Sequence, residues 1–247
     1  MTTHHNANGP VSVKRAAISK PQSRKARLGR WIIRQLERIE FAVAKKRSLH
    51  GVVVAVVPSS DKGVQEKIFV KVDQALKLIG EIFPVRCAQI RRHFRAIVVS
   101  GPPGLRVYNG RWEQYRGVCL LAFDYMISVE ATPSDVAGTI IHEFTHARLF
   151  LHGFGYEEEM RKRVDRACCK AVIRFARRLP DGQSIIESAT YFMNCDSAIW
   201  NDSARLQREA DAFLKIGCPK WFVLGIKRIG DRQIARHRKK ILPRDEP

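Results

Sequence analysis

From Val64 to Ile82 an apolar residue returns every three or four positions, with Phe69, Val72, Leu76 and Ile79 on one side. That period predicts a helix with one face against a core. Three apolar runs lack it. Val52–Val57, "RAIVVS" from Arg95 and "GVCLLAF" from Gly117 are continuous and strand-sized, as strands covered on both faces are. The stretch between the last two, rich in Gly, Pro and Tyr, reads as a loop. Upstream, "WIIRQLERIEFAVAKK" sets Ile32, Leu36, Ile39 and Val43 on one stripe. The expectation is a helix docked on the core, with a basic amphipathic helix on a membrane surface as the alternative.

Residues 130–135 form a helix start. Thr132 is placed to cap, Pro133 fits the first helical position and Asp135 can close a capping box. This helix carries the apolar stripe Val136, Ile140, Phe144, Ala147 and Leu151 and ends near Gly153. After a turn at Gly155, a second helix is predicted from about Tyr156 to Leu179, burying Met160, Val164, Ala167, Ala171 and Phe175. A further helix is expected near Ser203–Ile216. The fold class is therefore α+β: a small mixed or antiparallel sheet packed against a helix and its antiparallel successor, with flanking helices. Residues 1–27 read as a disordered basic tail, 28–230 as one domain and 231–247 as a second basic tail.

Charge changes the picture of partners. Against 24 Asp and Glu stand 44 Lys and Arg, a net +20, which predicts contact with polyanions or nucleic acid through the basic ends. The six cysteines show no CxxC spacing and read as free thiols in a reducing, cytoplasmic compartment. No apolar run has transmembrane length, and the first thirty residues lack the apolar stretch of a secretory signal.

The chemistry gathers at His142-Glu143-Phe144-Thr145-His146. Helical residues four apart differ by about 40° around the axis, so His142 and His146 can point both imidazoles at one metal ion. Glu143 flanks the same face, where a general base would stand. Three places can supply a third ligand. His152 lies where a helix continuing through Leu149 turns it aside, and a cation suits a helix C-terminus there. Glu157, Glu158 and Glu159 fall in the first turn of the second helix, where carboxylates complement the exposed amides. Asp165 is favoured by the rise. In an antiparallel hairpin His146 lies roughly 10 Å below the turn and Asp165 roughly 13 Å below it. Its competing role is an ion pair with Arg161 one turn back, and Cys168 or Cys169 are further candidate ligands.

Across residues 95–180 this arrangement resembles the gluzincin group of zinc metallopeptidases, in which two motif histidines and a carboxylate on the next helix bind zinc. Here the third ligand would be Asp rather than Glu, which requires the helices to approach more closely or the metal to shift. The resemblance implies Zn2+ held by His142, His146 and Asp165, with Glu143 as general base toward a metal-activated water, acting on a peptide or protein substrate. Tyr156, Arg148 and Tyr191 are the candidates for stabilising the oxyanion. The alternative is a basic nucleic-acid- or protein-binding regulatory protein whose metal site is structural or vestigial.

Overall fold

The structure, a computed structural model of the chain, describes residues 39, 41–57, 62–101, 108–114, 116–195, 201–215 and 217–241. Two compact units divide the chain, Met1–Glu40 and Phe41–Pro247. Of the first, only Ile39 is described, so the predicted tail 1–27 and the stripe residues Ile32 and Leu36 lie outside the described residues. The stripe's other two positions, Ile39 and Val43, are exposed. Everything below concerns the second unit.

Its centre is a five-stranded mixed sheet in the order β1-β2-β3-β5-β4. The strands are β1 (Lys45–Leu49), β2 (Val52–Val56), β3 (Ala96–Ser100), β4 (Gly110–Glu113) and β5 (Val118–Ala122). β2, β3 and β5 run parallel, while β1 and β4 pair antiparallel at the two edges. The apolar runs form the covered centre, as parallel strands require. Alternate residues Val52, Val54, Val56, Ile97, Val99, Cys119 and Leu121 enter the main core. Ala55, Ala96, Val98, Val118 and Leu120 join Ala44 in a smaller cluster. β1 was not expected. Its Lys45-Lys46-Arg47 start resembles a charged helix end, yet it turns back on β2 through His50 and Gly51, at φ of 48° and 76°. Leu49 opposes Val52, the register of a two-residue hairpin with positive φ at both turn positions.

The main core is closed by helices. α1 (Lys62–Ile82) buries Phe69, Val72, Leu76 and Ile79 as predicted, and α2 (Pro84–His93) follows directly. α3 (Phe123–Ile127) leads to α4 (Pro133–Leu151), which packs on α1, β4 and β5. Then come α5 (Glu158–Ala176), α6 (Gln183–Asn194), α7 (Asp202–Lys215) and α8 (Lys220–Ile241). The last helix runs through residue 230, where the sequence suggested a tail begins. The fold is α+β. Among the described residues no helix is long and apolar enough to cross a membrane.

α4 starts as its sequence requires. Thr132 Oγ1 accepts from the Asp135 amide and Asp135 Oδ2 accepts from the Thr132 amide, the reciprocal capping box. Such a cap contributes about 1 kcal/mol. Val136, Ile140, Phe144 and Ala147 are fully buried, while Leu151 at the end of the stripe is half-exposed. The helix stops in a Schellman arrangement. Gly153 sits at φ 83°, its amide bonds Phe150 O, and the Phe154 amide bonds Leu149 O. That turn sends α5 back along α4, the two packing closely over their length.

Candidate functional site

The α4–α5 hairpin brings one polar face of α4 against one polar position of α5. His142 and His146 stand one turn apart, with Nε2 atoms 3.1 Å from each other. Asp165 Oδ1 lies 3.2 Å from His146 Nε2 and 3.8 Å from His142 Nε2. Donor atoms about 2 Å from one tetrahedral ion stand roughly 3.3 Å apart, so these separations fit a single zinc-sized cation. The Asp165 side chain is 5% exposed and that of His142 26%, so access is from the His142 side.

Asp165 is held by more than the imidazoles. Its second oxygen, Oδ2, accepts the Tyr156 hydroxyl at 2.7 Å. Burial by itself would raise this carboxyl. Hydrogen bonds from His142, His146 and Tyr156 outweigh burial and hold it down at about 2. The Tyr156 ring meets His146 edge-on at 5.1 Å, and the Arg161 guanidinium lies 5.1 Å from the same ring. Arg161 is buried, and it pairs with Asp202 of α7 at 2.8 Å rather than with Asp165. The ion pair weighed from the sequence as Asp165's competing role is thus replaced by a chain from α7 through Arg161 and Tyr156 to Asp165.

Cys168 competes for the same position. Its sulfur and one nitrogen of each imidazole lie within 4.8 Å of one another. Burial, then the charges of Asp165 and Glu143, push this thiol well above its usual range, so its proton must be displaced before it can ligate. The Asp165 carboxyl is held low, at 3.2 and 3.8 Å from the two imidazole nitrogens. Asp165 and Cys168 thus both stand within reach as a third donor beside the two imidazoles.

Glu143 is tied to the sheet. Its Oε2 accepts the backbone amide of Trp112 in β4 at 2.6 Å. β4 lies in the segment the sequence suggested was a loop, so this partner was missed. The strand comes so close at Gly110 that a Cβ would meet Thr139 Cγ2 at 2.5 Å and Glu143 Cγ at 3.2 Å. Glu143 is 5% exposed. Burial raises its carboxyl, while the charge of His142 and the Trp112 amide pull it part of the way back.

The remaining candidates fall away from the centre. α4 does continue through Leu149, and His152 is its exposed C-cap. Glu157 is the N-cap of α5, with Glu158 and Glu159 in its first turn. Tyr191 is largely exposed, with its ring against Phe192. Arg148 lines a separate cavity. Comparison with protein-family models, with curated proteins and with solved structures found no match to this chain.

Proposed function

We propose that this protein is a zinc-dependent hydrolase that cleaves amide bonds in a peptide or protein substrate. The observation that carries the reading is the convergence of His142, His146 and Asp165 at separations that suit one tetrahedral cation, with Glu143 alongside. A bound zinc supplies Lewis acidity there, polarising a carbonyl and making water acidic near neutral pH. The chain's own residues supply the rest. Glu143 receives the proton of the attacking water and returns it to the leaving amine. Its burial raises the carboxyl, the direction that makes a carboxylate a better proton acceptor. The Trp112 amide fixes one oxygen and leaves the other for the proton. Tyr156 holds Asp165 in place, its hydroxyl already committed to Oδ2.

β4 supports a peptide as substrate. It pairs only with β5 among the described strands and runs beside Glu143, so an extended chain added along its outer rim would lie next to the base. A cytoplasmic setting belongs to the same reading, since it keeps the free, buried Cys168 and Cys169 reduced.

The test pairs metal analysis with turnover of a peptide library. Purified protein is expected to carry about one zinc per chain, and Glu143→Gln to retain it while losing hydrolysis. Equal turnover by parent and variant would remove Glu143 from the chemistry. Zinc without turnover in the parent would reduce the centre to a structural one.

A further inference from the structure

A cavity of about 380 Å³ opens beside the start of α2, lined by the Ile82–Val85 turn with Arg86, Gln89, Arg148 and Arg178. Its three guanidinium groups come from α2, α4 and the residues just after α5. Phe83 carries two of them, with Arg86 at 4.8 Å and Arg178 at 4.9 Å from the ring centroid. Phe83 in turn rests on Phe175 at 5.8 Å. Arg178 also donates to the Ile82 carbonyl at 3.3 Å. Among the described residues no carboxylate lines this cavity.

Two arginines elsewhere meet carboxylates. Buried Arg161 meets Asp202, and Arg47 meets Glu66. Helix ends account for part of the cavity's charge: Arg148 and Arg174 occupy the last turns of α4 and α5, where a cation is favoured. Arg86 has no such account. It is half-buried in the first turn of α2, where the helix dipole opposes a positive charge. Burial, then the neighbouring charges of Arg174 and Arg148, weaken its hold on its proton. Two features therefore repel cations at one spot. The Phe83 N-cap of α2 also makes no side-chain capping bond, and Pro84 begins the helix. Uncapped first-turn amides with planar guanidinium donors are the recognised means of holding a tetrahedral oxyanion.

We propose that this cavity binds a phosphate dianion, with Arg86 as its central donor and Arg148 and Arg178 flanking. The dianion comes either as inorganic phosphate or as the monoester of a small organic molecule. The site is separate from the imidazole centre and needs no metal.

Calorimetric titration of the metal-loaded full chain at fixed ionic strength tests it, with inorganic phosphate in one arm and phenyl phosphate in the other. Saturable binding of one anion per chain is expected, weakened about tenfold or more by Arg86→Gln or Arg148→Gln and unchanged by Arg163→Gln, which removes an exposed charge of α5. Tighter binding of phenyl phosphate identifies a monoester; equal binding identifies inorganic phosphate. Melting checks the variants: phosphate should raise the melting temperature of the parent but not of Arg86→Gln. Equal weakening by Arg163→Gln would reduce the effect to the general positive charge and overturn the proposal. So would absence of saturable binding, or binding that survives Arg86→Gln and disappears in Asp165→Ala.

Discussion

Glu143 and Asp165 are both buried carboxylates, 5% and 3% exposed, on neighbouring helices. Their surroundings drive them in opposite directions. Around Asp165 gather two imidazoles and a phenol, and the carboxyl sits at about 2. Glu143 has one hydrogen bond, from a backbone amide, with the charges of His142, Asp165 and Arg111 acting without one, and burial leaves the carboxyl raised. The same functional group is held low in one place and raised in the other. What separates the two is the number of donors each environment supplies.

The largest effect should come from removing the base. Glu143→Gln is expected to lower turnover by about 10²–10⁴-fold with zinc content unchanged, measured by single-turnover kinetics on metal-loaded protein. Next is the anion. Asp165→Ala should weaken zinc binding by more than about 100-fold, beyond the cost of losing an outer partner, as read by competition with a chelator. A smaller loss would shift the third-donor role toward Cys168. Tyr156→Phe removes only the hydroxyl on Oδ2, and a weakening of about 10–100-fold is expected in the same assay. If instead zinc affinity holds and turnover falls, Tyr156 acts on the substrate rather than on Asp165.

The subtlest effect is on stability without metal. Asp165's lowered carboxyl stabilises the folded chain above the unfolded value of about 3.8, and that contribution disappears as pH falls through about 2. Glu143's raised carboxyl does the reverse, costing stability as pH rises from the unfolded value of about 4.5 and in full above its folded value. Urea unfolding of metal-free protein at pH 7 should therefore find Asp165→Asn less stable than the parent and Glu143→Gln more stable. Shifts of the same sign would mean that the two environments are not opposed.

Much of this contrast was legible in the sequence, for local reasons. α1 and the α4 cap announce themselves by period and by side-chain chemistry at fixed offsets, so their boundaries fell within a few residues. Asp165 followed from helical rise alone once the hairpin was assumed. The failures are contacts that local pattern does not encode. Gly110-Arg111-Trp112-Glu113 has no apolar alternation; it is a strand because the free edge of β5 accepts it, with Trp112 opposite Cys119. Arg161 sits one turn from Asp165 yet turns to Asp202 in α7. Tyr156 is one of three oxyanion candidates in the sequence, and its bond to Asp165, nine residues on in the following helix, has no local signal. Ile39 and Val43 carry a helical stripe and remain exposed, a reminder that periodicity predicts a face without saying what meets it.

The tether on Glu143 is written in main chain. Replacing Trp112 by alanine would strip an indole stacked on Phe94, yet the amide that grips the carboxylate would survive any substitution except proline. A scan that swaps side chains one at a time would therefore pass over this restraint. Only chemistry on the peptide group itself, such as an ester in place of that amide, would expose it.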